Sequence, residues 1–134
     1  MRNLTSIEIA KHEAIKELFF KLKKENPEIT NNEAADIILK SPAPRFFCNY
    51  ENVIRMISLL DKGKELPITN ENRITMYKDI YRIWSEKDVD NTHKLDKRVK
   101  YLSTLPDILN SPAPSFYLSK HTIVNLISKP IKRR

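Results

Sequence analysis

The chain has 134 residues, a net charge of +7, 40% hydrophobic and 31% charged residues. A single glycine and a single cysteine argue against glycine-rich nucleotide loops, hairpin-rich sheets, intrachain disulfides and cysteine-based metal sites. What remains is an all-α protein of one compact domain, with a positive surplus that favours a polyanion partner.

In chain order, the first predicted helix opens at the capping box Thr5-Ser6-Ile7-Glu8 and runs to about Lys24. Ile7, Ala10, Ala14, Leu18 and Leu22 lie near one face, and Asn26-Pro27 closes it. A second box, Thr30-Asn31-Asn32-Glu33, opens a short helix carrying Ile37, Ile38 and Leu39, which Pro42 and Pro44 end. Asn49 is placed to cap a third helix with Val53, Ile54, Met56, Ile57 and Leu60 on its apolar side, and Gly63 is placed as its left-handed terminator. Thr69-Asn70 begins a fourth helix to about Glu86, burying Ile74, Tyr77, Ile80, Tyr81 and Trp84. Glu86–Lys100 is a polar segment, read as a longer loop or an added helical turn. A short helix with Leu105, Ile108 and Leu109 follows, then a last one after Ser119 with Ile123, Val124, Leu126 and Ile127.

Ser41-Pro42-Ala43-Pro44-Arg45-Phe46 returns as Ser111-Pro112-Ala113-Pro114-Ser115-Phe116, 70 residues on. The likeness extends from Ile38-Leu39 against Ile108-Leu109 to Ile57-Ser58 against Ile127-Ser128. The long helices match better at an offset of 62, Lys16–Phe19 against Lys78–Tyr81. The expected architecture is therefore about six helices: a tandem duplication of helix, short helix, SPAPxF link and helix. The halves, 1–64 and 65–134, meet about a pseudo-twofold axis with a boundary near Gly63–Pro67. Each half is small for a core of its own, so one cooperative unit is expected. Arg45–Cys48 and Ser115–Leu118 are candidates for a tiny two-stranded antiparallel ribbon. Pro42, Pro44, Phe46, Pro112, Pro114 and Phe116 are the structural residues of the motif.

No catalytic pattern stands out. His12, His93 and His121 lack ligand spacing and are expected at the surface, and Cys48, opposite Leu118 in the repeat, reads as a small core hydrophobe. No enzyme, cofactor or metal site is expected. No apolar run approaches the ~20 residues of a membrane span, and no leader-like segment stands at the N-terminus. The expectation is a soluble protein of a reducing compartment, with no membrane partner.

The basic residues suggest nucleic acid. Arg45 follows a proline-fixed link and precedes a helix start, and Lys120 opens the last helix. Lys94, Lys97, Arg98 and Lys100 form a basic run, and Lys132, Arg133 and Arg134 a basic arm. Asn31–Lys40 followed by Tyr50–Leu60 is helix-turn-helix-like, although the intervening stretch exceeds the usual 3 to 4 residue turn. The leading expectation is a non-enzymatic binder of double-stranded DNA through phosphate contacts. The alternative is a structural or protein-interaction component, a homo-oligomer included, with Tyr77, Tyr81 and Trp84 as part of a docking face.

The strings SPAPRFF and SPAPSFY, each running into a capped amphipathic helix, resemble a pattern in short proteins of Bacteroidetes and their phages, crAss-like phages among them. There the string reads close to S-P-A-P-R-F-Y before a small polar cap. The likeness covers Ile37–Ser58 and, more weakly, Ile108–Ser128. The first copy departs at Phe47, where Tyr is usual, and the second at Ser115, where Arg is usual. The resemblance transfers no activity residue by residue. It implies a phage or mobile-element origin, hence the cytoplasm of a bacterial host or a virion, and small basic proteins there are often DNA binders or virion components.

Overall fold

The computed structural model describes residues 6–88 and 104–130, with backbone only for 87 and 88. Six helices run through them: α1 (Ser6–Glu25), α2 (Asn31–Leu39), α3 (Tyr50–Asp61), α4 (Glu71–Asp88), α5 (104–109) and α6 (Lys120–Ser128). The fold is all-α. Among the described residues no helix is long and apolar enough to cross a membrane.

Local chemistry sets the helix ends. Thr30 and Glu33 exchange hydrogen bonds at the start of α2, Glu33 N to Thr30 Oγ1 at 3.1 Å and Thr30 N to Glu33 Oε1 at 3.0 Å. Those bonds hold the Glu33 carboxyl below its usual range. Asn49 Oδ1 accepts from the amides of Glu51 and Asn52 and so caps α3. Asn70 Oδ1 accepts from Arg73 N before α4, and Ser119 Oγ from Thr122 N before α6. Gly63, at φ +73°, closes α3. Its amide donates to Leu60 O, and Lys64 N donates to Leu59 O, the paired bonds of a Schellman ending. Of the box that begins α1, Thr5 lies outside the described residues, as does most of the predicted polar segment 86–100.

The two links are built alike. Ser41 Oγ donates to Ile37 O and Ser111 Oγ to Asp107 O, each at 2.7 Å, turning the chain off the preceding helix. Ala43 and Ala113 then form one antiparallel bridge, each amide donating to the other's carbonyl at 2.9 Å. The expected ribbon over Arg45–Cys48 and Ser115–Leu118 does not form. Ala43 and Ala113 exchange both hydrogen bonds of the rung, and no second bridge forms beside it among the described residues. Past it the aromatic pairs cross over: Phe46 stacks on Tyr117 and Phe47 on Phe116, both with centroids 6.1 Å apart. In repeat terms position 46 meets the partner of 47, and 47 the partner of 46.

The helices pack in the same crossed sense. α1 and α2 lie on α6, and α3 lies on α4, while α1 also supports α2. Helices from before residue 64 thus bury their apolar faces on helices from after it. The core takes Ile38, Phe46, Val53 and Ile57 from one side and Ile108, Phe116, Ile123 and Ile127 from the other. Tyr77, Ile80 and Trp84 are buried as expected, with Tyr81 half-buried.

Three expectations are corrected. The helix-turn-helix-like pairing is not made: ten residues separate α2 from α3, and the two do not pack on each other. On α1 the fully buried positions are His12 and Ile15, while Ala14, Leu18 and Leu22 are only half-buried. The buried face is centred on His12 and Ile15, flanked by the half-buried Phe19. His12 itself is 5% exposed rather than on the surface, and its Nε2 lies 2.7 Å from Leu126 O. A carbonyl can only accept, so Nε2 carries the proton and donates. The reason lies in α6. The amide that would serve the Leu126 carbonyl belongs to position 130, which is proline. His12 supplies the missing donor from α1.

Candidate functional site

The links converge on a pocket of about 420 Å³. One wall is aromatic, from Phe47, Phe116 and Tyr117; the other carries Lys11 of α1 and Arg73 of α4. The caps Asn49 and Asn70 stand at its rim with Asn52, so the starts of α3 and α4 both face it. Since each cap oxygen already accepts from its own helix, the side-chain amide nitrogens remain as donors. Glu8 also lines the pocket and is the single carboxylate there among the described residues.

Burial sets the electrostatics here. Desolvation lowers the Lys11 ammonium below the usual lysine value, with Glu8 opposing the shift and nearby Arg73 adding to it. Arg73 extends Nη2 to Tyr77 Oη at 3.4 Å. Burial pushes the Cys48 thiol in the pocket wall up to about 12, against the pull of Arg45, Arg73 and Lys11. That thiol is a poor nucleophile. Tyr117 is the one non-glycine described residue with positive φ, at +56°. Its amide donates to Ser115 Oγ at 2.9 Å and its hydroxyl to Asp79 Oδ2 at 2.6 Å. Burial first, then that hydrogen bond, raises the phenol well above its ordinary value. The stack on Phe46 and the bond to Asp79 together hold a backbone conformation that a tyrosine alone would avoid.

The residues singled out in the sequence fall in different places. The guanidinium of Arg45 lies 5.6 Å from the centre of the Phe47 ring, and its Nε donates to Phe46 O at 3.3 Å. It lines a smaller hollow with Ile7, Tyr50, Pro106, Leu109 and Asn110, between α1 and α5. Lys120 is ion-paired to Asp36 at 3.0 Å, joining α6 to α2. Arg45 and Lys120 do not share a pocket. Pro42, Pro44 and Pro112 line an apolar hollow of about 570 Å³ with Ala14 and Leu18 of α1. Phe46 and Phe116 are buried, while Pro114 is exposed. His121 is exposed and lies against Asn125 Nδ2 at 3.2 Å. Lys94, Lys97, Arg98, Lys100, Lys132, Arg133, Arg134 and His93 lie outside the described residues.

Lys11 and Arg73 were not singled out from the sequence. The signal was present: the 62-residue offset that pairs Lys16–Phe19 with Lys78–Tyr81 also pairs Lys11 with Arg73. Comparison with protein-family models, curated proteins and solved structures returns no match.

Proposed function

We propose that this protein binds nucleic acid without catalysing a reaction on it, and that it holds double-stranded DNA through phosphate contacts. One observation carries the reading: in a chain of net charge +7, the sequence gathers Lys94, Lys97, Arg98 and Lys100 in one run and Lys132, Arg133 and Arg134 in another. A chain that is merely lysine-rich would spread its charge evenly. Concentrated basic stretches are what phosphate neutralisation needs. Arg45, its guanidinium over the Phe47 ring in a hollow shared with Tyr50 of α3, adds a cation to the reading. The resemblance of the SPAP strings points to a phage or mobile-element protein acting in a bacterial host.

The test is fluorescence anisotropy with a random-sequence duplex over a salt series. Neutralising Lys132, Arg133 and Arg134 to Gln should make the log–log salt slope shallower by about 2.7, at roughly 0.9 per phosphate contact. Neutralising Lys94, Lys97, Arg98 and Lys100 should do the same by about 3.6. A wild-type slope near zero, or slopes that both sets leave unchanged, would overturn the reading. A second reading, a virion or protein-interaction component, draws on one observation: Phe20 is 59% exposed beside Phe19 on α1. It predicts a defined oligomer on size exclusion that Phe20→Ser dissolves, with only shallow salt dependence toward DNA.

A further inference from the structure

We propose that the pocket between α1, α4 and the two aromatic links binds a phosphate monoester of about mononucleotide size, its phosphate held by Lys11 and Arg73. The site does not depend on the basic stretches or on duplex binding.

The first argument is charge. Two cations from helices that match each other in the repeat face one pocket, and with Glu8 as the single carboxylate among the described residues there, their lining is net positive. Lys11 has no hydrogen bond or ion pair among the described residues, although desolvation already disfavours its charge. A half-buried ammonium beside a guanidinium is stabilised by a multiply charged anion placed between them. The second argument is the donor set. Asn49 and Asn70 turn their oxygens to their own helices, which leaves the amide nitrogens for an acceptor, and Asn52 makes no side-chain hydrogen bond among the described residues. The three amide nitrogens thus add donors to the two cations, as phosphate oxygens require, while the Asn52 oxygen is an acceptor beside them.

The third argument is size and polarity. A volume of about 420 Å³ falls within the roughly 300–1,000 Å³ of small-ligand pockets and is far more than a bare phosphate fills. The remaining space is bounded by Phe116, Tyr117 and Met76. An apolar or aromatic body fits there while the phosphate stays with the cations. The Phe47 ring lies between Arg45 and Phe116, so the body meets the edge of this wall and not an open face of Phe47. Either a free nucleotide or the 5′-phosphorylated end of a strand presents this chemistry.

The experiment is titration calorimetry on the full chain with adenosine 5′-monophosphate, inorganic phosphate and adenosine. The expected result is one site for the monophosphate, weaker binding of inorganic phosphate and none of adenosine. Lys11→Gln and Arg73→Gln should each weaken the monophosphate by about tenfold or more, as loss of a charge-assisted hydrogen bond does. Arg73 is exposed, so its variant keeps the fold even if the Lys11 variant does not. Lys62→Gln, an exposed charge off the pocket, should change nothing. A short oligonucleotide with and without a 5′-phosphate then separates the sources. Tighter binding of the phosphorylated strand assigns a strand end, and equal binding assigns a free small molecule. No heat with millimolar monophosphate, or an Arg73→Gln affinity equal to wild type, would overturn the proposal. The duplex-binding result bears on neither outcome.

Discussion

Replacing His12 by alanine tests the most specific long-range contact in the fold. The imidazole is buried, and its Nε2 donates at 2.7 Å to the Leu126 carbonyl, which Pro130 leaves without a helical partner. Alanine removes that donor and strands a buried acceptor, at a cost of about 1–3 kcal/mol. Removing the ring also leaves a cavity between α1 and α6, which places the packing loss near the low end of the about 2–5 kcal/mol seen for core truncations. The sum is about 3–5 kcal/mol, large against the roughly 5–15 kcal/mol that holds a domain folded. Equilibrium urea unfolding followed by circular dichroism measures it. His12→Gln, which keeps a donor, should recover roughly 1 kcal/mol of the loss. Pro130→Ala supplies the missing amide and lets α6 continue, so in the His12→Ala background it should restore roughly 1 kcal/mol more than in wild type. A His12→Ala loss below about 1 kcal/mol, with glutamine no better than alanine and the double mutant additive, would refute the capping argument.

Two further outcomes follow from burial. Phe46→Ala should cost about 3–5 kcal/mol, since the ring is buried and stacked on Tyr117, whereas Phe20→Ser on the exposed side of α1 should stay within about 0.5 kcal/mol; thermal melts of the two variants read the contrast. Cys48, raised to about 12 from 9.0, should resist a thiol reagent at pH 8 in the native protein and react on unfolding. Because its folded value is the higher one, the associated stability is intact below pH 9 and is lost as pH rises from 9 to about 12. A Cys48→Ala variant should show a flatter alkaline limb in denaturation curves, and an unchanged limb would count against the assignment.

Much of the secondary structure was legible because helix ends are local chemistry. Thr30, Asn49, Asn70, Ser119 and Gly63 each act within three residues of themselves, and a short window of sequence contains all the partners. The apolar faces of α3 and α6 were legible for a similar reason, having one dominant stripe each. α1 has two adjacent stripes, and which one turns inward is decided by α2 and α6, not by α1. The burial of His12 is harder still, since its cause is a proline 118 positions away in sequence. Nearness in sequence does not make α2 and α3 a helix-turn-helix pair, because α2 finds its partner in α6. As for the pocket, neither Lys11 nor Arg73 sits in a motif. Only the repeat offset relates them, and only the crossed packing brings them to one cavity.

The single rung between Ala43 and Ala113 has a consequence for how the two parts of the chain find each other. Extended segments can usually slide by a residue and pair again, since every position offers a donor and an acceptor. Here a slide of one residue in either direction puts Pro42, Pro44, Pro112 or Pro114 where an amide must be, and a hydrogen bond is forfeited. The alanines thus work as a latch with one closed position. The aromatic stacks and the crossed helices beyond it are assembled in one alignment and not in a family of near misses.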